Sequence, residues 1–210
     1  MELLEKISEE LQKGNHKDMP DLIREALKAN LPPEKILSGG LIAGMDVVGE
    51  KFRSNELFIP EVLISAKAMH AGMGVLRPKL AESGVKLAGK VVLGTVKGDL
   101  HDIGKNLVGM LMEGAGYQVI DVGIDVPSEK FVEAVKTHQA QVVGLSALLT
   151  TTMPRMKEVI ESLREAGIRD QVKVMVGGAP VTEKFAKDIG ADGYAPDAAN
   201  AAEKIRQLLG

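Results

Sequence analysis

One short polar segment holds the residue types that could bind a metal ion. The segment from Gly98 to Gly104 reads Gly-Asp-Leu-His-Asp-Ile-Gly, so that His101 lies two residues after Asp99 and directly before Asp102. A neutral imidazole can bind a metal through one ring nitrogen while a carboxylate accepts a hydrogen bond from the other, which fixes the tautomer and raises the basicity of the ligand. Asp99 has the spacing for that supporting role, and the flanking glycines would let the backbone bend away from a bulky planar ligand. We therefore predict that His101 is a metal ligand.

This segment alone leaves two other interpretations open. A polar loop before a helix is common, and Asp102 could simply cap that helix. The adjacent pair His101-Asp102 also occurs in metal phosphohydrolases, but such a site needs further His ligands. The other histidines, His16, His70 and His138, are not paired with a carboxylate at ligand spacing, which disfavours the hydrolase.

Hydroxyl residues and glycines follow two further predicted strands. Ser146, Thr150 and Thr152 come where the third strand runs out into a loop, and hydroxyls can donate or accept hydrogen bonds as a buried heterocycle requires. A helix N-cap at Thr152 is the alternative, but it explains one hydroxyl of the three. Gly177 and Gly178 follow the fourth strand and leave room for a flat group between strands. Together the three loops suit one elongated ligand.

The elements that must position these loops form an alternating pattern over residues 87–210, which we predict to be one domain. Five short β-branched runs alternate with helical stretches, of which the first is predicted over residues 106–116. The runs cover 90–95, 118–122, 141–146, 173–176 and 193–195. The pattern predicts a doubly wound, five-stranded parallel sheet of flavodoxin or Rossmann type, an α/β fold with ligands beyond the carboxyl ends of its strands. The chemistry should therefore follow Thr95, Val122, Ser146 and Gly177.

The first part of the chain, residues 1–86, has a different period and is predicted to be a separate domain. Its apolar residues recur at three- and four-residue spacing, which predicts four helices, the last from Ile59 to Leu80. Gly39 and Gly40 lie inside the third helix, and each weakens it by about 1 kcal/mol relative to Ala. Either that helix kinks at the glycines or another element packs closely against it.

Composition disfavours several classes of partner. The chain carries a net charge of −3, contains 3% aromatic residues and lacks Trp, so that neither the basic face nor the stacking surface of a nucleic-acid binder is expected. Cys is absent, which excludes disulfides and thiolate metal sites and favours a cytoplasmic protein. The N-terminus lacks a signal-peptide pattern, and no 18-residue apolar run predicts a membrane span.

Three motifs together resemble the cobalamin-binding region shared by methionine synthase and the corrinoid proteins of methylamine, methanol and methoxy-aromatic methyltransferase systems. The family pattern is Asp-x-His-x-x-Gly, then Ser-x-Leu, then Gly-Gly. The matching segments begin at Asp99, Ser146 and Gly177, in the expected order. The resemblance implies that cobalamin binds in the base-off, His-on form, with His101 as the lower ligand of cobalt.

The resemblance also implies roles for other residues. Asp99 and Thr152 would relay a proton to His101 as the cobalt changes coordination. The dimethylbenzimidazole tail of the cofactor would occupy a slot lined by Ser146, Leu148, Thr150, Gly177 and Gly178. Further cofactor contacts would come from Gly98, Leu100, Asp102, Ile103, Gly104, Tyr194 and Ala198. Phe58 lies in a segment similar to the family's helical cap and would cover the upper face of the corrin, with ordinary core packing as its alternative.

The function implied by the resemblance is that of a methyl carrier. The protein would hold methylcobalamin or a related corrinoid and carry a methyl group between a substrate-specific methyltransferase and an acceptor methyltransferase. Both would be separate chains, with a reductive activator as a further partner, because the two predicted domains leave no room for a complete active site. Two alternatives are a cobalamin-sensing regulator and the small subunit of an adenosylcobalamin mutase. The helical N-terminal part favours methyl transfer over mutase chemistry.

Overall fold

The N-terminal part of the chain is helical. Our computed structural model describes residues 2–83 and 87–209 of the 210. In the first of these ranges, helices α1 to α5 cover Glu2–Gln12, Met19–Lys28, Pro33–Ile36, Ala43–Arg53 and Ile59–Glu82. A π-helical turn, Leu37–Ile42, joins α3 directly to α4. The predicted helical region is confirmed, and its third helix runs through α3, the π-helical turn and α4.

The structure shows the close packing that was one alternative for the paired glycines of the third helix. Gly39 and Gly40 lie in the π-helical turn, where the hydrogen-bond pattern of the α-helix is locally widened. The same turn packs closely against α1, because a Cβ at Gly40 would lie 2.9 Å from Cγ2 of Ile7. A larger residue at position 40 would therefore have to displace the Ile7 side chain.

Five parallel strands form one sheet in the second described range. They are β1 (Lys90–Val96), β2 (Gln118–Val126), β3 (Val142–Ser146), β4 (Lys173–Gly177) and β5 (Gly193–Ala195). The order across the sheet is β2-β1-β3-β4-β5, and each neighbouring pair is parallel. The predicted α/β fold with a doubly wound parallel sheet is confirmed.

Helices cover both faces of this sheet. Helices α6 to α10 cover Ile103–Gly114, Ser128–His138, Pro154–Glu165, Glu183–Ile189 and Ala198–Leu209. On one face, α7 and α8 bury Phe131 and Ile160 in a common core with Val143 of β3. On the opposite face, α6 comes so close to the sheet that a Cβ at Gly109 would lie 3.3 Å from Leu93 of β1. Such coverage is typical of parallel sheets, whose strands are buried on both faces.

Strand β2 is longer and less regular than predicted. It runs to Val126, whereas the prediction ended it at Val122. The opposed residues of β1 and β2 include Leu93 with Asp121, Gly94 with Gly123, and Val96 with Val126. While β1 advances from 93 to 96, β2 advances from 121 to 126, so β2 contains two additional residues in two register shifts. Such bulges bend a strand and change the direction of its side chains.

Two further boundaries bear on the site. Helix α6 begins at Ile103, three residues before the predicted start at Asn106, so that Ile103 and Gly104 belong to its first turn.

The chain forms two compact units, Met1–Ala88 with Glu113–Gly116, and Gly89–Met112 with Tyr117–Gly210. The predicted domain boundary lies directly after residue 86. Residues 84–86 are outside the described residues, so this boundary stays a prediction. None of the described helices combines the length and the apolar character that a membrane span requires.

Candidate functional site

The loops that follow β1 and β3 meet at the carboxyl edge of the sheet. One row of paired residues crosses this edge, since Ser146 of β3 lies between Thr95 of β1 and Gly177 of β4, and Gly177 pairs in turn with Ala195 of β5. In a sheet of order 2-1-3-4-5, ligands bind between the ends of β1 and β3, where the order of the strands reverses. The His101 loop and the loop after Ser146 therefore lie at the position where this fold binds ligands.

A buried carboxylate joins these two loops. Asp99 is 0% exposed, and its Oδ1 accepts hydrogen bonds from Nδ1 of His101 at 2.7 Å and from the His101 amide at 3.1 Å. Its Oδ2 accepts hydrogen bonds from the amides of Leu148 and Leu149 at 2.8 and 3.3 Å and from Oγ1 of Thr152 at 2.7 Å. One side chain thus cross-links the loop after β1 to the loop after β3.

The charge of Asp99 decides the tautomer of His101. Burial raises the pKa of Asp99, but hydrogen bonds from Thr152, His101 and Leu148 outweigh burial and hold this pKa well below its ordinary value. The carboxylate is therefore ionised at neutral pH and can only accept hydrogen bonds, so that Nδ1 of His101 carries the proton. The lone pair of the neutral ring is then on Nε2, and the side chain is 50% exposed. This arrangement suits an imidazole that binds a metal through Nε2.

The structure decides between the two interpretations of Thr152. Helix α8 has Met153 at its N-cap, and no side chain caps it. The Thr152 hydroxyl is buried, and it lies within hydrogen-bond distance of Oδ2 of Asp99 and of the Leu149 carbonyl oxygen, at 2.7 and 2.9 Å. Thr152 is therefore part of the carboxylate network and does not cap the helix.

The main chain on both sides of His101 is also held in place. The Thr95 hydroxyl donates a hydrogen bond to the His101 carbonyl at 2.8 Å. Gly98 has a φ of +82°, a left-handed conformation that glycine adopts without steric cost. Asp102 precedes α6, and its carboxylate accepts a hydrogen bond from the Asn106 side chain at 3.1 Å. The imidazole is thus presented by a loop with fixed ends.

Large apolar side chains next to the imidazole are exposed. Leu100 is 67% exposed and Ile103 is 74% exposed, and Leu148 and Leu149 are also exposed. Exposed large apolar side chains at the edge of a sheet are typical of a surface where a ligand or partner binds. A broad planar ligand with an apolar edge would cover these residues while its centre faced the imidazole.

The chain after β4 passes directly against the end of β3. The Ala147 amide donates a hydrogen bond to the Gly177 carbonyl at 3.2 Å. Gly178 has a φ of +129°, and a Cβ at this position would lie only 1.9 Å from the Ala147 carbonyl oxygen. Ser146 is partly buried beside Gly177. The structure thus brings Ser146, Gly177 and Gly178 together, and the close approach of the main chain at position 178 excludes any residue with a Cβ.

The remaining predicted residues have less uniform surroundings. Thr150 lies on an exposed turn, Tyr194 is partly buried in β5, and Ala198 is buried at the start of α10. In the helical unit, Phe58 precedes α5 and is 63% exposed, which excludes core packing within that unit as its role. Its amide donates a hydrogen bond to the Glu61 carboxylate at 2.6 Å.

Comparison with known proteins identifies the ligand class. The sequence profile of a family described as the B12 binding domain matches residues 89–203, and a second profile of the same description matches residues 3–77.

The chain belongs to the B12-binding family of corrinoid proteins.

Similar proteins cover nearly the full length of this corrinoid protein. The trimethylamine corrinoid protein of Methanosarcina barkeri is 44% identical over 99% of this chain and 97% of its own length. The dimethylamine corrinoid protein of the same organism is 48% identical over 92% of this chain and 91% of its own. A chain in the crystal structure of the methanol:cobalamin methyltransferase complex MtaBC from Methanosarcina barkeri is 33% identical, with a TM-score of 0.88 over 99% of this chain and 80% of that chain. Cobalamin or a related corrinoid is thus the cofactor.

The residues at the carboxyl edge fit such a cofactor. The imidazole of His101 presents Nε2, the exposed leucine and isoleucine side chains suit the edge of a macrocycle, and Gly177 and Gly178 place no side chain at the end of β4. Within residues 2–83 and 87–209, no group of three or more His, Asp or Glu side chains is placed to hold a metal ion. The corrin macrocycle would bring the other ligands of its cobalt, so that the protein would need to contribute only His101.

Asp125 of β2 is a site residue that sequence reasoning missed. Its carboxylate accepts a hydrogen bond from the Gly98 amide at 2.7 Å, and its amide donates a hydrogen bond to the Asp99 carbonyl at 3.0 Å. The signal that could have revealed this contact is Gly123, because an isolated glycine in a strand suggests a bulge. The predicted strand ends at Val122 and therefore does not include Asp125.

The stability of this corrinoid protein should depend on the ionised form of Asp99. Because its folded-state pKa is lowered, its stabilising effect is complete above the unfolded pKa of about 3.9 and is lost as the pH falls through the folded pKa. Asp99→Asn cannot titrate, and it leaves donors unpaired at a cost of about 1–3 kcal/mol. The difference in free energy of unfolding between wild type and Asp99→Asn should therefore be constant above about pH 5 and should narrow below about pH 4.

Urea unfolding of the apoprotein at a series of pH values measures this difference. Thr152→Val is the informative companion, because it removes one of the hydrogen bonds that lower the Asp99 pKa while it keeps the carboxyl group. In that variant the folded-state pKa of Asp99 lies closer to the unfolded value, so the pH-dependent loss of stability should be smaller and should be complete at a higher pH. A difference between wild type and Asp99→Asn that stays constant down to about pH 2 would contradict the assignment.

Proposed function

We propose that this corrinoid protein carries a methyl group between two methyltransferases that are separate chains. One partner takes the methyl group from a small substrate, and the other passes it to an acceptor such as coenzyme M or a folate. The observation that carries the proposal is the similarity over nearly the whole chain to a trimethylamine and a dimethylamine corrinoid protein, at 44% and 48% identity. The similarity to a chain of the MtaBC methyltransferase complex supports the need for a partner enzyme. These relatives favour the carrier over a regulator or a mutase subunit.

The division of labour between cofactor and protein follows from the site. When bound, the corrinoid supplies a cobalt centre that accepts and releases the methyl group, which is chemistry that no side chain offers. In our proposal, Nε2 of His101 is the lower axial ligand, and Asp99 holds the proton on Nδ1 of the same ring. Thr152 hydrogen-bonds to the second oxygen of Asp99 and keeps it ionised. The three side chains would thus set the strength of the axial bond.

The same network can hold a proton when the axial bond is broken. A His101 ring released from the metal can bind a proton at Nε2, and the buried Asp99 carboxylate, 2.7 Å from Nδ1, would pair with the resulting cation. A released but neutral ring would keep its Nδ1 proton and the hydrogen bond from Nδ1 to the Asp99 carboxylate. We propose that the His101–Asp99–Thr152 chain relays a proton in this sense: Nε2 takes up a proton from solvent when the bond to the metal breaks and returns it to solvent when the bond re-forms, while Asp99 and Thr152 stabilise the protonated ring.

The proposal also covers the other cofactor contacts. We propose that Ser146, Gly177 and Gly178 line the tail slot, and their adjacency at the ends of β3 and β4 supports this proposal. The other contacts stay as proposed from the family pattern: Leu148, Thr150, Tyr194 and Ala198 at the tail, Gly98, Leu100, Asp102, Ile103 and Gly104 around the ring. Phe58, whose ring is mostly exposed, is the proposed contact on the upper face.

The carrier role is tested by partner-dependent methyl transfer. The protein is loaded with hydroxocobalamin, reduced, and mixed with a methylamine or methanol methyltransferase and the matching ¹³C-methyl donor. Trimethylamine, dimethylamine, monomethylamine and methanol are tried in turn. We expect one donor to label the bound corrinoid only when the methyltransferase is present, and the label to leave when the acceptor enzyme and its thiol or folate are added. Failure of all donors with an intact holoprotein would overturn the carrier proposal.

Axial ligation by histidine is tested by electron paramagnetic resonance. Cobinamide lacks the nucleotide tail, so any nitrogen on the lower face of its cobalt must come from the protein or the buffer. In the Co(II) form, a single axial ¹⁴N nucleus splits the signal into a triplet. Protein grown with ¹⁵N-histidine should give a doublet instead. A spectrum that does not change with the label would exclude a histidine ligand.

A further inference from the structure

We infer that Asp125 is a positioning residue that holds the His101 loop from the side of β2. This inference rests on the proposed role of His101 as axial ligand, but its structural part concerns the protein without cofactor. Asp125 does not contact the imidazole. It acts through the two residues that open the loop, Gly98 and Asp99.

The register of the sheet explains how an edge-strand residue reaches this loop. The two register shifts give β2 two additional residues between Asp121 and Val126. If β2 were regular, its successive residues would stay paired one to one with those of β1. The bulged strand instead turns Asp125 towards the turn that follows Val96, and bulges beside functional sites commonly redirect a side chain in this way.

Two reciprocal hydrogen bonds make the contact. The Asp125 carboxylate accepts from the Gly98 amide at 2.7 Å, and the Asp125 amide donates to the Asp99 carbonyl at 3.0 Å. The Asp99 amide in turn donates to the Val96 carbonyl at 3.1 Å, which closes the turn. The main chain of Asp99 is thus fixed by β1 and β2, while its side chain is fixed by Leu148 and Thr152 on the opposite side.

The backbone of Asp125 is itself in an uncommon conformation. Its φ is +52°, in the left-handed region that costs most L-residues about 1 kcal/mol or more and that Asp and Asn tolerate best. Gly98, its partner, is also left-handed, with a φ of +82°. An uncommon conformation at a non-glycine residue persists where the surrounding contacts enforce it. Here those contacts are the two hydrogen bonds to the loop.

The ion pair of Asp125 is a lesser contribution. The hydrogen bond from the Gly98 amide is the main reason that the pKa of Asp125 is lowered, and the nearby Lys97 ammonium adds to it. The Lys97–Asp125 separation is 3.4 Å, and both side chains are about half exposed. Exposed pairs of this kind contribute little to stability. Removal of Lys97 should therefore leave the loop unchanged, and Lys97→Ala is a matched control.

Three substitutions at Asp125 separate its functions. Asp125→Asn keeps an acceptor oxygen and tolerates the left-handed backbone. Asp125→Gly removes the acceptor but relieves the backbone cost, and Asp125→Ala removes the acceptor while it keeps that cost. The first readout is amide hydrogen exchange of the apoprotein at His101, whose amide donates to Asp99. We expect exchange about 5- to 10-fold faster in the Gly and Ala variants, the equivalent of about one hydrogen bond, and wild-type exchange in Asp125→Asn and Lys97→Ala.

The second readout is the fraction of bound Co(II) cobinamide whose spectrum shows splitting by a histidine nitrogen. The free energy of unfolding of each variant is measured in urea, so that this fraction is compared between variants of equal stability. We expect this fraction to fall in Asp125→Gly and Asp125→Ala and to be restored in Asp125→Asn. If His101 exchange is unchanged in Asp125→Gly, the inference is wrong. If wild type shows no histidine nitrogen, the proposed axial ligand is wrong, while the exchange experiment still decides the role of Asp125. If Asp125→Ala does not fold, Asp125→Gly provides both measurements.

Discussion

Replacement of His101 by alanine should remove the histidine nitrogen from the bound cobalt completely. The His101 loop presents a single imidazole whose Nδ1 is held by Asp99, and alanine offers no atom that could bind in its place. In the Co(II) cobinamide complex, the ¹⁵N-dependent splitting seen for wild type should disappear. The affinity for cobalamin should also fall by at least about 100-fold, because loss of an outer-shell partner alone typically costs about 10- to 100-fold in metal affinity. Equilibrium dialysis with hydroxocobalamin measures the second effect.

The matched control for this experiment is His138→Ala. His138 is the last residue of α7, and its carbonyl accepts a hydrogen bond from Lys90 at the start of β1. It therefore lies at the amino edge of the sheet, opposite the proposed site. His138→Ala should keep both the nitrogen splitting and the affinity. Splitting that survives in His101→Ala would show that another nitrogen binds the cobalt. Free imidazole added to His101→Gly should restore a nitrogen ligand if the rest of the site is intact.

Gly178→Ala is expected to cause the largest loss of stability at the carboxyl edge. The new Cβ would overlap the Ala147 carbonyl oxygen at 1.9 Å, and the residue would be forced to keep a φ of +129°. Backbone strain of this kind costs about 1–3 kcal/mol, and a steric insertion into a packed region costs a similar amount. We therefore expect the free energy of unfolding to fall by about 2–5 kcal/mol, as measured by urea unfolding, with a parallel loss of cobalamin retention.

Gly167→Ala separates conformation from contact. Gly167 also has a positive φ, +70°, but a Cβ there would meet nothing within 4 Å. Gly167→Ala should lower the free energy of unfolding by about 1 kcal/mol, which is the cost of the left-handed conformation alone. If Gly178→Ala costs no more than Gly167→Ala, the chain after β4 moves easily and the close approach to β3 is not a rigid feature of the site. Retention of cobalamin by a destabilised Gly178→Ala would argue against a tail slot at that position.

Those parts of the fold that depend on local pattern could be predicted from the sequence. The five β-branched runs and the helices between them are each visible within a few residues, and their alternation implies the parallel sheet. The position of the His101 loop at a strand end followed from the same pattern. That Asp99 supports His101 was also predictable, because a separation of two residues is a local property.

The parts that could not be predicted depend on pairing between distant segments. Two additional residues in β2 are defined only against β1: Gly123 suggests a bulge, but no pattern within residues 118–126 fixes the register that turns Asp125 towards the His101 loop. The cap and network interpretations of Thr152 were equally open in the sequence, because the choice depends on a carboxylate 53 residues away. Likewise, Phe is a residue type usually found in the core, and only the exposure of Phe58 in the folded helical unit shows that it is not a core residue there.

The span of the Asp99 network has a consequence for the order in which the protein matures. Its hydrogen bonds to the loop after β3 join residues 49 to 53 positions apart, so that they form only after β1 has paired with β3. Until then, the donors that offset the burial of the Asp99 charge are not in place, and the His101 ring has no enforced tautomer. Corrinoid capture should therefore follow assembly of the sheet, and the cofactor then stabilises the finished fold by mass action and does not nucleate it. Chains awaiting cofactor in the cell would be folded apoprotein.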